Sequence, residues 1–284
     1  MSFQSVESYG DKFATSISIF GPSGSGKSLS ALRIARGLVG DDGRIAVFDT
    51  EDKMRKFRRI TSFDLDLELT NYNPDRCIKA INDAVAAKYD CLIIDSFSPW
   101  WDGPGGVLSI KDDLDAKGGK EVKTQFGAWP AATKIQNKVI TAIKTCQINL
   151  ICTMRSKTKW EIVKDHDGRT RNKRIGLQPI QREQVEYEFD FTCEIDPKHN
   201  LEFLSTRCLE LDGTTHNKPD EELGAYIAAW LINGVGMSKE ARYLHDIRSM
   251  AESKGVLDRF ASMLSMAEGD IEMLEEIYAQ VKEV

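Results

Sequence analysis

The chain is short of histidine, of paired cysteine and of any long apolar run, and each shortage removes a class of function. Its six cysteines stand at 77, 91, 146, 152, 193 and 208 with no CxxC pair, and its four histidines give them no partner at ligand spacing. That pattern speaks against a zinc centre. Cys91 and Cys152 fall inside apolar segments, where a free thiol behaves as a small hydrophobe, so a reducing cytoplasm is the expected setting. No apolar run approaches the ~20 residues of a membrane span and the N-terminus lacks a secretory apolar region, so a soluble intracellular protein with no membrane contact is expected. Positive charge is also lacking overall. A formal net charge of −6 argues against a uniformly basic coat, so any contact with nucleic acid has to be local. There is no internal repeat and no low-complexity segment, and 284 residues suffice for one substantial core with a small appendage.

Against these absences stands one dense motif. Residues Gly21 to Ser28 read GPSGSGKS, a complete GxxxxGK(S/T) loop. The run before it, Ser16 to Phe20, is short, β-branched and aromatic, as a buried strand should be, and Leu32, Ala35 and Leu38 follow at helical spacing. In that context the loop predicts a nucleoside triphosphate site formed by Gly21, Pro22, Ser23, Gly24, Ser25, Gly26, Lys27, Ser28 and Leu29. Gly24 and Gly26 let the backbone curl so that N–H groups meet phosphate oxygens. Lys27 supplies a point charge to the β and γ phosphates, and Ser28 a hydroxyl to Mg²⁺.

Tyr89 to Asp95 (YDCLIID) reads as a second buried strand ending in a carboxylate, the Walker B arrangement, in which Asp95 holds Mg²⁺ through its coordinated water. The glutamate that follows this aspartate in most P-loop ATPases is missing, because Ser96 takes its place and cannot serve as a base. A third strand, Arg44 to Thr50, runs straight into Glu51. That carboxylate is placed to accept the proton of an attacking water, or else belongs to a solvated acidic turn before the basic stretch Lys53 to Arg59.

VFDTE at 47–51 and LIIDS at 92–96, after GPSGSGKS, resemble the ATPase core of RecA-type recombinases, and NLICTMR at 149–155 resembles that family's sensor strand. Residues 180–196 and 199–208 resemble in particular the short phage-encoded RecA-like single-strand annealing proteins, and the likeness runs over residues 10–232. It implies an ATPase that uses ATP and Mg²⁺, is stimulated by single-stranded DNA, promotes annealing or homologous recombination, assembles as a homo-oligomeric ring or filament, and works beside a single-strand binding protein. It also implies that a cation completes the γ-phosphate site across subunits, for which Arg155 and Lys157 are the first candidates and Lys198 and Arg207 the next. The sequence departs from the family at the sensor, usually an amide; here Thr153, Arg155 and Lys157 are the alternatives.

Between Ile151 and Arg182 nine Lys or Arg stand against three Asp or Glu, so the local charge that the whole chain lacks is found here. Lys157, Lys159, Trp160, Arg169, Arg171, Lys173 and Arg174 are the expected DNA contacts, the cations on phosphates and the indole on a base. The competing expectation is a plain solvated hairpin around the DHDG turn at 165–168. A second surface, SPWWDGPGG at 98–106 followed by a lysine-bearing linker, is expected to pack rather than bind, because its lysines alternate with carboxylates.

The expected fold is α/β: a P-loop NTPase with a RecA-like, doubly wound, mainly parallel sheet at residues 1–233, added antiparallel strands, and a helical C-terminal extension at 234–284. The alternative function is a nucleotide switch or a small-substrate kinase that acts on partners without touching DNA.

Overall fold

The computed structural model describes residues 13–118, 127–164, 170–233, 244, 247–248, 250–251, 254–267 and 270–283. They fall in two compact units, Met1–Ile232 and Asn233–Val284.

In the first unit the apolar runs lie in one nine-stranded sheet among the described residues. Six strands are parallel and follow the order β3 (Asp64–Leu67), β2 (Ile45–Asp49), β4 (Cys91–Asp95), β5 (Asn149–Lys164), β1 (Ser16–Gly21), β7 (Phe191–Ile195). The antiparallel strands β8 (Asn200–Thr206) and β9 (Thr215–Asn217) extend this row, while β6 (Thr170–Pro179) pairs only with β5. Helices cover both faces. On one, Ile17, Ile19, Cys91 and Ile93 pack with α1 (Lys27–Val39) and with Leu223 and Ile227 of α6 (Glu221–Asn233). On the other, Phe20, Leu92 and Ile94 pack with α2 (Pro74–Ala86) and with Val139 and Ile143 of α5 (Trp129–Lys144). Alternate residues of one strand thus serve opposite cores, which is why these segments read as unbroken apolar runs.

Two contacts hold α6 on α1. A Cβ on Gly224 would lie 2.1 Å from the Ile34 carbonyl oxygen and one on Gly37 1.8 Å from that of Glu221, so the two backbones meet where only glycine fits. Beside them Arg33 Nε donates to both carboxylate oxygens of Glu221, at 3.0 and 2.8 Å.

Three elements depart from the sequence reading. SPWWDGPGG itself holds α3 (Pro99–Asp102), and the expected linker after it begins with the helix α4 (Val107–Lys117), its later part, 119–126, lying outside the described residues. The strand expected at 149–155 continues to Lys164 as β5. The edge strand β3, which reads DLDL, carries too little apolar sequence to announce itself. In the second unit, α7 (Leu257–Met266) and α8 (Ile271–Glu283) enclose Phe260, Leu264, Leu274, Ile277 and Val281, and a turn at Lys254 and Gly255 interrupts what reads as continuous helix. Among the described residues no helix is long and apolar enough to cross a membrane.

Candidate active site

The phosphate loop joins β1 to α1 at the C-terminal end of the parallel strands. Gly24 and Gly26 take φ of +80° and +94°, values that side chains resist, and no side chain caps α1. Its first N–H groups are therefore free to meet an anion. The Lys27 ammonium donates to the carbonyl oxygens of Gly21 and Pro22, at 2.9 and 2.8 Å. Burial lowers its pKa, with the Asp95 and Glu51 charges opposing. Ser25 is fully buried and its hydroxyl has no hydrogen-bond partner among the described residues.

A cleft of about 800 Å³ opens above the loop. Gly21, Ser23, Gly24, Gly26, Lys27, Ser28 and Leu29 line one wall, and Glu51, Lys53, Phe57, Asp95, Ser96, Arg155, Ser156 and Ile180 complete it. The predicted Pro22 and Ser25 contribute backbone and packing from behind rather than lining.

Asp95 is buried at the end of β4, where Ser28 Oγ donates to its Oδ2 at 2.7 Å and Thr153 donates to its Oδ1. Burial holds this carboxyl above the usual range, the two hydroxyl bonds oppose the shift, and the Glu51 and Asp49 charges add to it. Thr153, one of the three sensor alternatives, is thus spent on Asp95 beneath the cleft. Of the three, only Arg155 lines the cleft; Lys157 stands exposed beyond it.

Glu51 is fixed by residues that sequence reasoning passed over. Asp49, wholly buried, accepts from the backbone N–H groups of Glu51, Lys53 and Met54, each at 2.8 Å. The Thr50 hydroxyl donates to the Ser96 carbonyl at 2.9 Å and accepts from the Ser96 N–H at 2.8 Å, tying the ends of β2 and β4 together. The Tyr72 hydroxyl donates to the Thr50 carbonyl at 3.2 Å. The Glu51 carboxylate itself pairs with Arg155 through Oε1, at 3.2 Å, and with Lys53 through Oε2. Behind the loop, His199 holds Nδ1 2.9 Å from the Ser25 carbonyl oxygen. Its turn is closed by Asp196, which accepts from the N–H groups of Lys198 and Asn200 at 2.8 and 2.9 Å. The VFDTE motif already contained Asp49 and Thr50; nothing local in the sequence pointed to His199 or Tyr72.

Beyond Arg155, β5 carries Lys157, Lys159 and Trp160, all exposed, the indole at 60%. Arg171 on β6 is exposed as well. Arg169 and the 165–168 turn lie outside the described residues, as do the side chains of Lys173 and Arg174. Arg207 is engaged by Asp190, at 3.0 Å, whereas Lys198 is exposed. Trp100 is buried, stacked on Phe48 with centroids 5.4 Å apart, while Trp101 is half-buried beside Trp129. The cysteines are free, and burial pushes the Cys77 thiol up to about 12, which leaves it inert.

A phosphate loop on β1, a carboxylate at the end of β4, and the strand β5 inserted between them define a P-loop ATPase with a RecA-like core. The AAA domain matches residues 14–218, and the chain belongs to that family. Among solved structures, the crystal structure of a KaiC-like protein from the hyperthermophilic archaeon Pyrococcus horikoshii OT3 is similar at 15% identity and a TM-score of 0.41, covering 71% of this chain and 83% of that one. No curated protein matches the chain significantly.

Proposed function

We propose that the chain hydrolyses ATP with Mg²⁺ and couples the reaction to single-stranded DNA held on the β5–β6 hairpin, acting in annealing or homologous recombination as a homo-oligomer. The observation that carries this reading is the continuity of β5. Along one strand Thr153 holds Asp95, Arg155 pairs with Glu51 in the cleft, and Lys157, Lys159 and Trp160 stand exposed where phosphates and bases can reach them.

In this reading the loop N–H groups and Lys27 bind the triphosphate and Glu51 takes the proton of the attacking water. Ser28 and Asp95 would hold Mg²⁺, which when bound neutralises charge on the phosphates. Their 2.7 Å contact at the foot of the cleft brings the two donors together, which supports the assignment.

ATP hydrolysis with and without an oligonucleotide, together with oligonucleotide binding across salt, tests the proposal. Stimulation by DNA and a salt-dependent affinity are expected. Intact nucleotide binding with no oligonucleotide binding would overturn the DNA half and favour a nucleotide switch or a small-substrate kinase.

A further inference from the structure

We infer that the turn at residues 53–59 is a second contact for single-stranded DNA, continuous with the exposed face of β5, so that the strand crosses the mouth of the nucleotide cleft instead of lying on the hairpin alone. The inference rests on the DNA reading proposed above.

Five cations fall within these seven residues, in a chain whose net charge is −6. Two of them have structural employment. Lys53 pairs with Glu51, and Arg55 pairs with Asp52 at 2.5 Å. Lys56, Arg58 and Arg59 are exposed, and among the described residues none of their side chains makes a hydrogen bond or ion pair. Neighbouring like charges without counter-ions repel and contribute nothing to folding, so the fold does not account for them.

Their position supplies the account. Lys53 and Phe57 of this turn line the nucleotide cleft, and Glu51 joins the turn to β5 through its paired contacts with Lys53 and Arg155. On β5 the exposed cations Lys157 and Lys159, preceded by Arg155, which is engaged by Glu51 at the cleft, recur every second residue and so share one face. A two-residue step is about 6.6 Å, close to the separation of successive phosphates on an extended strand. Trp160 follows Lys159 at a register shift, off the cation face by the same alternation, and its exposed indole at the edge of this run offers a base a stacking surface that an acidic peptide has no use for. The two cationic segments therefore form one track for a regularly spaced polyanion that carries aromatic rings.

The test compares the full chain with two variants, K56A/R58A/R59A and the charge-keeping K56R/R58K/R59K, using a fluorescent oligothymidylate across salt, with melting temperature as the fold control. The alanine variant should bind more weakly and lose about 2 from the magnitude of the slope of log affinity against log salt, three contacts at about 0.7 each. The charge-keeping variant should retain the parent slope. Unchanged affinity and slope in the alanine variant would overturn the inference and leave the hairpin reading standing. A parent that binds no oligonucleotide would overturn both. Polyglutamate bound by the parent and lost by the alanine variant, with oligonucleotide binding intact, would make the turn a docking surface for acidic chains and defeat the inference as well.

Discussion

At the scale of single residues, the cleft divides its tasks between groups that meet the phosphates and groups that aim them. Lys27→Ala should abolish productive nucleotide binding, while Glu51→Gln should leave ATP bound and slow its cleavage by at least about 10²-fold, the scale of losing a general base. Equilibrium binding of a labelled nucleotide beside single-turnover hydrolysis separates the two, and near-normal turnover in Glu51→Gln would remove Glu51 as the base. Asp95 gives a prediction in pH. Its folded pKa is raised chiefly by burial, so the ionised form is disfavoured by the fold. The penalty is complete above the folded pKa and disappears as pH falls through it towards the unfolded value. Asp95→Asn removes the penalty, so it should melt higher than the parent at neutral pH, by a margin that shrinks on acidification, while Mg²⁺-dependent nucleotide binding is lost. Paired melting curves from acid to neutral pH check the sign; a lower midpoint at neutral pH contradicts it.

At the scale of elements, the helix behind the phosphate loop is positioned by its crossing with α6. Replacing Gly224 by Ala gains about 1 kcal/mol in helix propensity, but it drives a Cβ into the Ile34 carbonyl, and overpacking of backbone on backbone costs about 1 to 3 kcal/mol or more. The clash should win. Urea unfolding of Gly224→Ala should show net destabilisation with weaker nucleotide binding as α1 shifts; a gain in stability would mean that the helices can part without cost. Such a crossing was not legible in the sequence, because Gly37 and Gly224 look like two propensity defects until they are seen to meet. The elements that could be read were those with a local signature: GPSGSGKS between strand and helix, and the apolar runs ending in Asp49 and Asp95. The insertion of β5 between β1 and β4 depends on pairings across more than fifty residues and carries no local mark. The same holds for His199, which reaches Ser25 from 174 positions away, and for β3, whose alternating Asp and Leu suit an edge as well as a loop.

At the scale of the whole molecule, the question is whether one chain holds every cation its chemistry needs. Lys27 and Arg155 line their own cleft, Lys53 is paired with Glu51, and Arg207 is engaged by Asp190. Arg155, which the family resemblance suggests as a cation acting across subunits, lies within reach of its own Glu51. Lys157 is exposed outside the cleft of its own chain and is the cation we expect to complete the γ-phosphate site of a neighbour, a contribution that in arginine-finger systems reaches about 10³-fold or more. Turnover per subunit should then rise with protein concentration, and Lys157→Ala should be slow at every concentration. Mixing settles the direction of the contact. A Lys27→Ala subunit cannot use its own site but still presents Lys157, so adding it to Lys157→Ala subunits should restore turnover in the latter. If the parent hydrolyses at full rate as a monomer by light scattering, with ATP, Mg²⁺ and DNA present, or if the mixture is no faster than its components, then no neighbour is needed and the cleft is complete within one chain.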